Sequence, residues 1–103
     1  MTVREELEKR LQLLPSLARR RSRFGDSQSY FVADREIAHF HGDQRLDIRL
    51  TRGRIRELRA EGALDPRVHT RGPSTDWATV RVAEEGDLSL AVELVEEAIR
   101  ANS

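Results

Sequence analysis

Residues 36–62, EIAHFHGDQRLDIRLTRGRIRELRAEG, decide the fold of this chain. Two segments within them, residues 36–41 and 45–50, are short, rich in strand-forming side chains and separated by turn residues. A helix is expected next, because Thr51 can cap its start and Gly62 can stop its end. The stretch therefore predicts a β-hairpin followed by an amphipathic helix.

The length of the hairpin loop determines which side chains share a face, because side chains alternate along a strand. A two-residue Gly42-Asp43 turn would place His39 beside Leu46. A three-residue loop would instead pair His39 with Asp47 and keep the apolar side chains together. The Gly-Asp sequence favours the short turn, whereas burial favours the longer loop, since a slip of one residue moves every apolar side chain to the wrong face. We expect the longer loop.

The sequence on either side completes one small domain over residues 1–103. Residues 2–14 predict a helix capped by Thr2, and residues 16–27 an irregular connector whose cationic side chains lie between Arg19 and Arg23. The other predicted elements are a strand at 29–33, a loop at 63–75, a strand at 76–82 and a helix from Asp87 to about Asn102. The expected fold is α+β, with about four mostly antiparallel strands in the order α-β-β-β-α-β-α and the helices on one face. Residues 1–27 form the N-terminal helix and connector, and residues 28–102 the sheet and remaining helices.

Composition narrows the classes of function. Lys and Arg total 18 and Asp and Glu total 18, and this balance argues against a nucleic-acid partner. The chain has no Cys, which excludes disulfides and thiolate chemistry. No apolar run reaches the length of a membrane span and the N-terminus lacks the apolar region of a signal peptide, so a cytoplasmic protein without a membrane partner is expected. A homodimer would cover more apolar surface of so small a domain.

The face of the sheet opposite the helices is the candidate functional surface. Alternation places on it Ile37, His39, His41, Asp47, Arg49, Trp77, Thr79 and Arg81. His69 and Arg71 join the candidates because loops on a rigid scaffold often carry function. Asp76 is expected to orient Arg71 or Arg81, or simply to begin the last strand.

Three interpretations of the two histidines remain open. They could bind an organic ligand and move its protons, with Asp47 setting the tautomer of His39. His39, His41 and Asp47, with or without His69, could instead hold a metal as two histidines and one carboxylate. Both histidines could also simply hydrogen-bond on a half-exposed sheet. A fourth possibility is a non-catalytic protein-interaction module, which a contiguous apolar patch around Ile37 and Trp77 would favour.

Several motifs together resemble the fungal luciferase-like domain family, including its small bacterial members. They are EIAHFHG at 36–42, DIRLTRGRIRELRAEGAL at 47–64, DPRVH at 65–69, and a last strand followed by an acidic amphipathic helix. The resemblance runs from about Glu36 to Ala101 and implies a compact α/β domain whose histidine-bearing strands line a ligand site. Light-emitting fungal members oxidise a hydroxylated pyrone with molecular oxygen and use no metal or flavin. His39, His41 and His69 are the positions that this resemblance transfers first.

The resemblance implies a cofactor-independent oxidoreductase that binds a small aromatic or enolic molecule. Asp47 departs from the family pattern, because many fungal relatives have a histidine there. In the expected mechanism a histidine takes the acidic proton, Arg49 or Arg81 stabilises the anion, and Trp77 packs on the ring. We expect neither folding nor ligand binding to need a transition metal, and light emission is not implied.

Overall fold

The computed structural model describes residues 2–21, 28–70, 72 and 74–103, and within them the chain forms three helices and six strands. The helices are α1 (Val3–Leu11), α2 (Arg52–Ala60) and α3 (Leu88–Ala101). The strands are β1 (Ala18–Arg21), β2 (Gln28–Val32), β3 (Arg35–Phe40), β4 (Arg45–Arg49), β5 (Val68–Thr70) and β6 (Trp77–Arg81). A 3-10 turn at Glu85–Asp87 leads into α3. The α+β class is confirmed.

All six strands form one antiparallel sheet in the order β1-β2-β3-β4-β6-β5. His39 pairs with Asp47 and Phe40 with Leu46, so the longer hairpin loop is confirmed. The backbone N–H of His41 closes that loop by donating to the carbonyl of Arg45 at 2.9 Å. Burial of the apolar row outweighs the local preference of Gly-Asp for a two-residue turn.

The expectation of about four strands in the order α-β-β-β-α-β-α is wrong, because the sheet has a further strand at each edge. β1 lies in the stretch predicted as an irregular connector, of which residues 22–27 are outside the described part of the chain. β5 lies in the predicted loop at 63–75. All four side chains of β1 are exposed and β5 has only three residues. Neither segment therefore has the alternation of apolar and polar side chains by which a strand is predicted from sequence. Both exist because a neighbouring strand supplies hydrogen bonds.

Ile37 is the second correction, since it does not belong to the open face. The pairing of β2 with β3 shifts register after Tyr30, which pairs with Ala38, whereas Phe31 pairs with Glu36. β3 therefore contains one extra residue, a β-bulge, and strict alternation fails there. Ile37 is fully buried in the hydrophobic core, and Glu36 lies next to His39 instead.

The core lies between the helices and the apolar face of the sheet. α3 contacts β3 and β4, and α1 packs against α3. The side chains that α1 and α2 bury in this core are Leu7, Leu11, Ile55 and Leu58. The sheet contributes Ala38, Phe40, Leu46, Ile48, Ala78 and Val80. No helix in the described part of the chain is long and apolar enough to cross a membrane.

The helix ends follow the sequence closely, with two differences. Thr2 forms a complete capping box with Glu5, Thr51 accepts a hydrogen bond from the N–H of Arg54, and Gly62 has the positive φ of a helix stop. α1 ends at Leu11, so it is shorter than predicted. Asp87 does not cap α3 through its side chain, which instead accepts hydrogen bonds from the N–H groups of Ala83 and Glu84.

An ion pair between α2 and α3 makes the stability of the domain depend on pH. Arg54 donates to Glu97 through Nη2 at 2.9 Å and Nε at 3.1 Å, and this hydrogen bonding lowers the pKa of Glu97. A carboxyl group with a lowered pKa in the folded protein stabilises it above the ordinary pKa, and this stabilisation is lost as pH falls through the folded value.

We expect Glu97→Gln to lower the free energy of unfolding at neutral pH, with the difference from wild type vanishing in acid. Urea denaturation across the acid range measures this difference. The matched control is Glu93→Gln on the same helix, because Glu93 is exposed and has no ion pair within 4.0 Å among the residues described. Equal effects of the two substitutions would show that the Arg54 pair contributes nothing.

Candidate functional site

One row of polar side chains crosses the sheet on the face away from the core. In register order across five strands it comprises Ser29, His39, Asp47, Thr79 and His69. Cross-strand neighbours in such a row lie about 4.5–5.5 Å apart at Cβ, so adjacent members can interact. His39 and Asp47 thus share a face, opposite Phe40 and Leu46, as the longer loop predicts.

Asp47 lies at the centre of this row. Its Oδ1 accepts a hydrogen bond from the hydroxyl of Thr79 at 2.6 Å. Its Oδ2 lies 3.1 Å from Nε2 of His39 and 3.9 Å from Nδ1 of His41. The carboxylate is therefore held from one side by Thr79 and can accept the Nε2 proton of His39, which sets the tautomer of that ring.

The two histidines differ in access. Nδ1 of His39 is buried, lies 4.0 Å from Oε2 of Glu36, and has no hydrogen-bond partner within residues 2–21, 28–70, 72 and 74–103. Glu36 itself is only 5 % exposed. The side chain of His41 is 68 % exposed and leaves its ring open to a ligand. His39 is therefore placed to position Asp47, and His41 is the imidazole that a ligand can reach.

Trp77 and Arg49 extend the site along the sheet. The rings of Trp77 and His39 have centroids 5.1 Å apart and are tilted by 51°, within the range for a favourable aromatic contact. Arg49 pairs with Trp77 in register, and its Nη2 lies 3.5 Å from Oδ2 of Asp76. Asp76 also accepts from the N–H of Arg52 at 2.8 Å, which ties it to the start of α2. Asp76 thus orients Arg49 rather than Arg81, whereas the other expected partner, Arg71, lies outside the described residues.

His69 and Arg81 lie on the β5 and β6 side of the row, where His69 pairs with Thr79 and Arg81 with Arg45. His69 is two strands away from Asp47, beyond Thr79 in the row. Together with Arg81, and with Thr79 of the cluster, it lines a groove of about 630 Å³ at the β5 edge. Arg71 lies outside the described residues. Contacts therefore link His39, His41, Asp47, Thr79 and Trp77, with Arg49 beside Trp77 in register. His69 and Arg81 line the groove at the Arg45 end of the strands, which Thr79 shares.

The metal interpretation gains no support from the geometry. Among the described side chains, no group of three or more His, Asp or Glu residues is arranged to hold a metal ion. His39 directs Nε2 to a carboxylate and buries Nδ1, so neither nitrogen is open to a metal. That folding and binding need no transition metal remains a prediction.

Ser29 and Glu36 are neighbours of the site that the sequence did not reveal. Ser29 is fully buried and pairs with His39 in the polar row. Predicting this position would have required the register between β2 and β3. Glu36 approaches His39 only because of the bulge, which no sequence pattern indicates.

An antiparallel sheet with helices over one face and a polar, aromatic cluster on the other defines a small α+β domain. The family model of the Luciferase domain matches residues 34–98, which is more than half of the chain. The chain therefore belongs to the Luciferase domain family, and the resemblance seen in the sequence is confirmed. No curated protein and no solved structure gave a significant match.

Proposed function

We propose that this protein binds a small aromatic or enolic molecule on the open sheet face and oxidises it with molecular oxygen, without a metal or flavin. The observation that carries the proposal is the exposed ring of His41 beside Asp47, whose carboxylate is held by Thr79 and His39. An accessible imidazole next to an oriented carboxylate is suited to take a proton from a weakly acidic ligand.

The proton transfer begins when His41 accepts the hydroxyl proton of a bound enol through Nε2. The imidazolium that results is stabilised by Asp47, whose Oδ2 lies 3.9 Å from Nδ1. The enolate carbon then forms a bond with molecular oxygen, so the carbon is oxidised and oxygen is reduced to the peroxide level. The proton returns from His41 to the distal oxygen, and the product is an organic hydroperoxide.

The other side chains of the cluster bind the ligand rather than react with it. Trp77 offers an aromatic face next to His39 on which a planar ring can pack. Arg49, oriented by Asp76, supplies positive charge for the enolate or phenolate. A protein-interaction module would need apolar area on this face, and Ile37 is buried in the core, so the ligand interpretation is the better supported one.

We expect para-nitrophenol, whose anion is coloured, to bind the wild type preferentially as the anion. His41→Gln removes the proton acceptor, so the bound probe should ionise at a higher pH, by about one pKa unit for a tenfold loss of anion preference. Absorbance titrations measure the ionisation. Quenching of Trp77, the only tryptophan in the chain, measures the binding.

His69→Gln is the matched control, because His69 lies two strands from Asp47. It should leave the ionisation of para-nitrophenol unchanged. Oxygen consumption with triacetic acid lactone, a hydroxylated pyrone, tests the oxidation step, with the O-methyl ether of the lactone as a substrate that cannot ionise. Absence of any Trp77 response to either compound would contradict the proposed function.

A further inference from the structure

A cavity of about 760 Å³ opens beside Trp77, between the turn that joins β2 to β3 and the C-terminal end of α3. It lies at the end of β4 that carries Arg49, whereas the groove of His69 lies near Arg45 at the other end. The side chains that matter for its chemistry are Arg35, Glu36, Arg49, Trp77 and Asn102. The cavity is thus continuous with the proposed binding surface but distinct from the His69 groove.

Two polar atoms of the residues that line this cavity are buried and lack partners. Nε of Arg49 is a donor and Oδ1 of Asn102 is an acceptor, and neither has a hydrogen-bond partner in the described part of the protein. The amide of Asn102 is held in place, since its Nδ2 donates to the carbonyls of Arg49 at 2.9 Å and Ala98 at 2.7 Å. Buried polar groups without partners are costly, so hydrogen-bonding capacity remains unsatisfied at the end of β4 beside the cavity.

Two arginines, Arg35 and Arg49, supply the positive charge of the cavity lining. Asp34 lies 3.8 Å from Nη1 of Arg20 and Glu36 lies 4.0 Å from Nδ1 of His39, whereas Arg49 lies 3.5 Å from Asp76. Arg35 has no ion pair within 4.0 Å among the described residues. The aromatic ring of Trp77 forms part of the same lining.

We propose that this cavity is the anion subsite of the protein and takes an aromatic hydroxy acid. Arg49 binds the carboxylate of such a ligand and Trp77 packs on its ring, with the ligand's acidic hydroxyl directed towards Asp47 and His41 as in the proposed function. This inference rests on the proposed function and selects Arg49, rather than Arg81, as the residue that determines specificity for acidic ligands.

Benzoate is the probe, with benzyl alcohol as the neutral control, and quenching of Trp77 measures binding. We expect benzoate to bind wild-type protein more tightly than benzyl alcohol does. Arg49→Gln should weaken benzoate binding by about 10- to 100-fold, which is the usual contribution of a hydrogen bond to a charged group. Arg81→Gln is the matched control on the same face, and it should leave the affinity unchanged.

A second measurement uses the wild-type protein, so its result does not depend on whether a variant folds. In a benzoate titration followed by NMR, we expect the largest shifts at the side-chain amide of Asn102, the indole of Trp77 and the guanidinium of Arg49. Shifts confined to His69, Thr70 and Arg81 would overturn the subsite while leaving ligand binding on this face intact. Response to para-nitrophenol but not to benzoate would overturn it in the same way. Failure of every probe, including triacetic acid lactone, would overturn the proposed function as well.

Discussion

Phe40→Ala lowers the free energy of unfolding by about 3–5 kcal/mol, the cost of lost apolar transfer and of the cavity that remains. Phe40 is 8 % exposed, lies in the core next to Leu46, and has the guanidinium of Arg4 4.4 Å from its ring centroid. A small domain has only about 5–15 kcal/mol of stability in total, so this loss brings it close to unfolding. Urea denaturation monitored by circular dichroism measures the change.

His41→Ala is the control for this experiment, because the mutated residue is adjacent in sequence and its side chain is 68 % exposed. We expect a loss of about 0.5 kcal/mol or less, as for other surface substitutions. If His41→Ala destabilised the protein as much as Phe40→Ala, His41 would belong to the packing of the domain and its assignment to the ligand site would be wrong.

Asp47→Asn reduces the rate of oxygen consumption with triacetic acid lactone by about 10²- to 10⁴-fold, the usual contribution of an oriented acid–base group. Asparagine has nearly the same shape but no charge, so it cannot stabilise an imidazolium at His41 or accept the Nε2 proton of His39 as strongly. The free energy of unfolding should change far less than the rate. Oxygen-electrode kinetics and urea denaturation separate the two effects.

Asp43→Asn is the matched control, because Asp43 lies in the same hairpin with its carboxylate 90 % exposed and paired only with Arg4 among the described side chains. Its rate should equal that of the wild type. The ¹⁵N chemical shifts of the His39 ring provide a further readout, since Asp47→Asn should change the tautomer and Asp43→Asn should not. A normal rate in Asp47→Asn would contradict the proposed role of the carboxylate.

Some contacts of the candidate site could be predicted from the sequence and others could not. The pairing of His39 with Asp47 was predictable, because only one hairpin register keeps Phe40 and Leu46 buried. The position of Glu36 next to His39 could not be predicted, because a bulge in β3 changes the face on which Glu36 lies. The separation of His69 from Asp47 depends on strand order, which places β6 between β4 and β5.

What the sequence determined by itself was the local structure and the family. Apolar side chains at Ala38 and Phe40 and the alternation along β4 specified the hairpin, and the chemistry of Thr2, Thr51 and Gly62 specified helix starts and stops. Motifs over residues 36–69 indicated the family that the match at 34–98 confirms.

The tertiary structure alone decided the features that depend on partners distant in sequence. The edge strands β1 and β5 form only because β2 and β6 offer them hydrogen bonds. Arg49 is oriented by Asp76, and the end of α3 closes the cavity beside Trp77. Local sequence patterns indicate whether a side chain faces the core or the solvent. The contacts named above form only when packing of the whole chain brings segments distant in sequence together.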